Sequence, residues 1–114
     1  MKGFGYRAET LACAYLIFHG YKITERNFHS RFGEIDIIAK KRGVTVFVEV
    51  KARSGNMLAD PAYAVDLYKQ QKLIKTAYYY MSNTATDDLR FDVIEVKKQG
   101  LKLSLKHIKD AFQI

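Results

Sequence analysis

The sequence predicts a single α/β domain in which a mixed central sheet is flanked by helices. Three observations lead there. The chain has 114 residues, 48% of them hydrophobic, the length and composition of one unit with its own core. Helical and strand periodicities follow one another in the order αβββαββα, with no repeat, linker or low-complexity tract between them. Two of the strands are apolar on both faces, which suits strands covered on each side.

The elements follow in turn. Ala8, Leu11, Ala12, Tyr15, Leu16 and His19 recur at helical spacing, predicting a helix from about Tyr6 to His19 with Gly20 as its left-handed cap. Tyr21 to Phe28 reads as a weak first strand. Glu34 to Ala39 and Thr45 to Ala52 are stronger strands, joined as a hairpin through Lys40-Lys41-Arg42-Gly43. Asp66 is a good N-cap for a second helix to about Ser82, with the stripe Gln70, Leu73, Ile74, Ala77 and Met81. Leu89 to Val96 is a fourth strand, and Lys97-Lys98-Gln99-Gly100 turns into a fifth. There Leu101, Leu103 and Leu105 alternate with Lys102, Ser104 and Lys106, so one face is wet. His107 to Phe112 reads as a short closing helix.

Charge narrows the function classes. Nineteen Lys and Arg against twelve Asp and Glu leave a net +7, a balance suited to a polyanionic partner such as nucleic acid. The single cysteine, Cys13, excludes an intramolecular disulfide and a multi-cysteine zinc site, and fits a reducing cytosol. The longest apolar run, Leu11 to Phe18, is too short to span a bilayer, and Met1 to Arg7 carries no secretory apolar region. These features predict a soluble, cytoplasmic protein with no membrane partner.

The chemistry concentrates in the two apolar strands. Ile35, Ile37, Ile38 and Ala39 surround Asp36; Val46, Phe47, Val48 and Val50 surround Glu49. Carboxylates there are costly unless a cation pairs with them. A hairpin turning at Arg42 and Gly43 sets Asp36 opposite Glu49 to within one residue of register, roughly 5 Å apart at the β-carbons. Lys51 falls on the same face as Glu49. Two carboxylates that close either share a proton or hold a metal ion. Oxygen ligands with no cysteine and few histidines select Mg²⁺ or Mn²⁺. Glu9, beside Ala12, Cys13 and Leu16 on the first helix, is the fourth candidate, an acid placed to reach down to a metal ion on the sheet. The structural alternative makes Glu49 and Lys51 a solvated pair on a strand face and Glu9 a boundary residue.

Gly33-Glu34-Ile35-Asp36-Ile37-Ile38 followed by Val46-Phe47-Val48-Glu49-Val50-Lys51-Ala52-Arg53 resembles the YraN-like family of predicted endonucleases. That family is related to archaeal Holliday junction resolvases in the PD-(D/E)XK, restriction-endonuclease-like superfamily. The resemblance runs nearly end to end, through Glu9, Gly20-Tyr21, Asn27, Lys69-Gln70, Arg90-Phe91-Asp92-Val93-Ile94 and His107-Ile108 to Ala111-Phe112. It implies a restriction-endonuclease-like αβββαβ core carrying an extra C-terminal strand and short helix. It further implies Asp36 and Glu49 as metal ligands, Lys51 as catalytic lysine, Glu9 as the acid of the first helix and Gln70 as a glutamine near the centre. Ala8 departs from the glycine usual before that acid.

Basic residues around these positions are candidates for phosphate contacts: Arg31 before Gly33, Lys40 and Lys41 at the hairpin tip, Arg53 after the lysine, and Lys69 and Lys72 on the second helix. Tyr78, Tyr79 and Tyr80 span almost a helical turn and suit packing better than a base-stacking platform. Cys13 and His107 read as packing residues. The sequence thus supports a Mg²⁺- or Mn²⁺-dependent endonuclease for DNA, structured or branched, against two alternatives: a non-catalytic nucleic-acid-binding module and a structural adaptor. The resemblance to resolvases, which cut two strands symmetrically, implies a homodimer if this chain makes paired cuts.

Overall fold

The computed structural model describes residues 3–54, 65–82 and 88–113. Helix α1 (Phe4–Phe18) leads into strands β1 (Lys22–Ser30), β2 (Gly33–Lys41) and β3 (Val44–Ser54); helix α2 (Leu67–Met81) then precedes β4 (Asp88–Gln99) and β5 (Lys102–Phe112). The five strands form one sheet in the order β1-β2-β3-β4-β5. All neighbours are antiparallel except β3 and β4, which run parallel from Val44 opposite Asp88 to Ser54 opposite Lys98. A parallel pair needs a crossover, and the segment carrying α2 provides it.

Local chemistry explains the joints. After α1, the Gly20 N–H donates to the Ile17 carbonyl at 3.0 Å and the Tyr21 N–H to the Leu16 carbonyl at 2.9 Å. That paired reversal needs a left-handed residue, and Gly20 has φ +88°. Between β2 and β3 the loop is only Arg42-Gly43, with φ +51° and +78°. Two left-handed residues make the turn whose twist matches the flanking strands. Asp66 caps α2, its carboxylate accepting the Lys69 N–H at 2.8 Å. Asp66→Ala should therefore cost about 1 kcal/mol of stability, measured by urea unfolding.

The sheet is covered on both sides, as the apolar strands require. On one side Ala8, Ala12, Cys13 and Leu16 of α1 pack over Ile37, Ala39, Val46, Val48, Ile94 and Val96. On the other, Leu73 and Ala77 of α2 join Ile35, Ile38, Phe47, Phe91 and Val93. Cys13 is core, as its stripe suggests. Tyr80 packs its ring edge-on against Phe28 and Phe47, whereas Tyr78 and Tyr79 are exposed.

Three expectations are corrected. His107 to Phe112 is not a closing helix: β5 continues through it, pairing His107 with Ile94 and Phe112 with Phe91. Bonding to β4 along the sheet edge overrides the local helical pattern, with an irregularity between Phe91 and Val93 that fits the extra residues in. Asp110, left-handed at φ +55°, lies in that irregular stretch. The first two leucines of the β5 alternation, Leu101 and Leu103, are exposed, and only Leu105 packs against the α1-side core. Leu11, placed on the α1 stripe, is likewise exposed, and Cys13 takes the buried place instead.

Candidate active site

The β2–β3 register is the expected one: Ile37 faces Val48, so Asp36 and Glu49 are the next residues along the two strands. There the Asp36 carboxylate takes the place of backbone pairing, its Oδ2 accepting the Val50 N–H at 2.8 Å. Strict alternation breaks at this point, for Ile35 joins the α2-side cluster while Ile37 joins the α1-side one.

Asp36 and Glu49 are bonded to each other through their side chains, and Glu49 is only 7% exposed. Burial, then the Glu49 bond and charge, push the Asp36 carboxyl up to about 8; Glu9 adds to the rise and the Val50 N–H opposes it. One proton therefore stays on the pair near neutral pH.

Lys69 completes this arrangement. Its ammonium ion-pairs with Glu49 Oε2. Burial would lower its pKa, but Glu49, Asp36 and Asp66 outweigh that and raise it. The Asp66 cap fixes the first turn of α2 and hence the point from which Lys69 reaches the acid. Lys69, expected to meet phosphate, lies at the acid pair itself.

Lys51 is half-buried, two residues beyond Glu49 on the face that alternation gives it, and opposite Glu95 of β4. Arg53 follows on that face, its Nε 3.9 Å from Glu95 Oε2. Glu95 was not singled out in the sequence, although alternation with Phe91 and Val93 puts it on the α2 side of β4. A solitary acid in a strand carries little signal until the neighbouring strand is known to be β3.

The other candidates are more scattered. Glu9 is half-buried on α1 and reaches Asp36 through its charge. Among the described residues, no group of three or more His, Cys, Asp or Glu lies close enough to hold a metal ion, so Glu9 is not gathered with Asp36 and Glu49. The Gln70 amide donates to the Val65 carbonyl at 2.5 Å, tying the entry of α2 to its first turn. Arg31 and Lys72 are exposed, with their charges over the rings of Phe32 at 4.9 Å and Tyr68 at 4.6 Å. Lys40 is half-buried, and Lys41 Nζ donates to the His19 carbonyl at 2.7 Å.

A second polar network was also missed. Asp92, fully buried in β4, accepts from Arg90 Nε and Nη2 at 2.8 Å each and from the Asp110 N–H at 3.0 Å; His107 Nε2 is 2.7 Å from its Oδ2. Tyr15 Oη lies 3.2 Å from His107 Nδ1. Burial would raise the Asp92 pKa, but His107 and Arg90 together hold it below the usual carboxylate value. This network lashes β5 and α1 to the middle of the sheet, and it fulfils the packing role expected of His107.

The described residues form a single α/β domain with a five-stranded mixed sheet and two helices, consistent with a restriction-endonuclease-like core. The chain belongs to the UPF0102 family: residues 8–96 match the model of "Uncharacterised protein family UPF0102", a span running from Ala8 to Val96. A UPF0102 protein of Clostridium botulinum (strain 657 / Type Ba4) is 46% identical over 118 residues, covering 99% of this chain and 96% of its own. The chain is also 46% identical over 99 residues to one of Campylobacter hominis, covering 86% and 87% of the two. For one of Geobacter metallireducens the identity is 41% over 115 residues, covering 99% and 94%. No helix among the described residues is long and apolar enough to cross a membrane.

Proposed function

We propose that the protein is a Mg²⁺- or Mn²⁺-dependent endonuclease that hydrolyses phosphodiester bonds in DNA, structured or branched DNA above all. The observation that carries this reading is the bonded carboxylate pair Asp36–Glu49, held in two covered strands with one proton trapped between them. A divalent cation relieves that crowding, and the donors are all hard oxygens, which fits Mg²⁺ or Mn²⁺. When bound, such an ion supplies a Lewis acid to a phosphoryl oxygen and lowers the pKa of its water.

This chain's own residues divide the remaining work. Asp36 and Glu49 would hold the ion. Lys51 presents a compact positive charge on the Glu49 face, where negative charge develops on the phosphate in the transition state. Glu9 deepens the negative potential at Asp36. Lys69 balances Glu49, and Gln70 keeps the helix entry in place rather than meeting the substrate. A second copy of the chain would furnish the other site that paired cuts need.

One observation favours a second reading, a non-catalytic nucleic-acid-binding module on the same fold. Lys69 and a retained proton already neutralise much of the acid pair without a metal. Divalent-metal calorimetry on the wild type separates the two: saturable binding supports the enzyme, and its absence supports the module.

Both readings require phosphate contacts, so DNA affinity should fall linearly in a log–log plot against salt with a slope of several ions. Arg53→Ala should weaken binding to every sequence about equally, because a phosphate contact carries no sequence information. Fluorescence anisotropy across a salt series checks both. Salt-insensitive affinity would remove nucleic acid as the partner.

A further inference from the structure

We infer a second anion site, built for a phosphate group, on the α1 side of the sheet at the β2–β3 hairpin end. A cavity of about 210 Å³ lies there, lined by Tyr21, Lys41, Arg42, Val44, Val46, Arg90 and Lys109. Four of the seven lining residues are cations, drawn from three strands and one turn. It is a place apart from the acid pair: Val44 and Val46 belong to the α1-side core, whereas Glu49 pairs with Lys69 of α2. Lys41 lies five positions along β2 from Asp36, roughly 16 Å along the strand.

The walls are held in position before any ligand arrives. Arg90 is clamped by Asp92 through Nε and Nη2, and Nη2 also donates to the Tyr21 hydroxyl at 2.9 Å. Nη1 takes part in none of these bonds. Because Tyr21 Oη accepts from Arg90, its own proton remains to donate to a ligand. Lys41 is fixed by the His19 carbonyl at 2.7 Å and by the Tyr21 ring, 4.9 Å from its Nζ.

Charge decides what such a cavity takes. Among the described residues, Asp92 is the one carboxylate ion-paired with a lining cation, and of the four it meets only Arg90. Lys41, Arg42 and Lys109 leave an uncompensated positive surplus in a concave, partly apolar site, where field lines concentrate. Guanidinium, ammonium and phenol donors converging on one cavity match the several acceptor oxygens of a phosphate. The group could belong to a nucleic-acid backbone or to a free phosphate; the chemistry is the same. The inference stands independently of the metal site.

Titration of the isotopically labelled full chain with inorganic phosphate, at ionic strength held constant with chloride, tests it by amide NMR. Saturable shifts are expected at Tyr21, Arg42 to Val46, Arg90 and Lys109. Arg42→Asn and Lys109→Gln together should weaken phosphate at least tenfold while leaving the melting temperature unchanged; Asn tolerates the left-handed turn position, and Lys109 is exposed. Asp36→Asn should leave phosphate affinity as it was. A parallel titration with a short DNA duplex assigns the source: the same shifts, weakened by the same two substitutions, identify a backbone phosphate, and their absence identifies a free one. Shifts that chloride reproduces, that survive the double substitution, or that vanish in Asp36→Asn would overturn the site.

Discussion

Lys51→Ala is expected to bind divalent metal and DNA as the wild type does, yet to cleave DNA at least ~10²-fold more slowly. That is the scale of loss when one group facing transition-state charge is removed. The reason lies in the division of labour: Asp36 and Glu49 supply the metal's oxygens, and Lys51, two residues on, supplies none. Lys51→Arg should rescue poorly, since a planar guanidinium cannot put a compact charge at the same point. If Lys51 were only a solvated partner of Glu95 across the β3–β4 pairing, its loss would cost under ~1 kcal/mol and change no activity. Cleavage, metal affinity and melting of both variants, measured together, decide the matter. Wild-type cleavage by Lys51→Ala would end the nuclease reading.

Asp36→Asn and Glu49→Gln should each lose most Mg²⁺ or Mn²⁺ affinity, because each removes a charged oxygen donor. Asp36→Asn should also gain stability at high pH. The folded Asp36 carboxyl titrates at about 8, above its ordinary value of 3.8, so the folded state binds the extra proton between those values. Wild-type stability should therefore be fullest below pH 4 with respect to this group and fall as pH rises through 8. An Asn side chain still accepts the Val50 N–H but never charges, so the variant should be the more stable by roughly 1–3 kcal/mol above pH 8. Urea unfolding from pH 5 to 9, with and without Mn²⁺, checks this. Loss of folding in both variants, with no metal bound by the wild type, would make the pair structural.

Much of this geometry was legible in the order of residues because its determinants are local. Arg42-Gly43 sets a two-residue turn, and the turn alone sets the register that brings Asp36 level with Glu49. Period-two alternation then places Lys51, and the apolar flanks mark both strands as covered. Asp66 and Gly20 carry the helix boundaries in their own side-chain and backbone preferences.

Tertiary structure decided whatever depended on distant partners. Residues 107–112 have a helix-like pattern, but the open edge of β4 offers a ladder of hydrogen bonds that a lone short helix cannot equal, so β5 runs on. Lys69 meets Glu49 only because α2 packs on that side of the sheet, and Glu95 comes beside Lys51 and Arg53 only because β4 lies parallel to β3. The Asp92 network and the basic cavity join residues from opposite ends of the chain, where sequence spacing carries no information. Turns and alternation act over a few bonds and can be read in one dimension; the charge a side chain meets across the sheet exists only once the strands have been ordered.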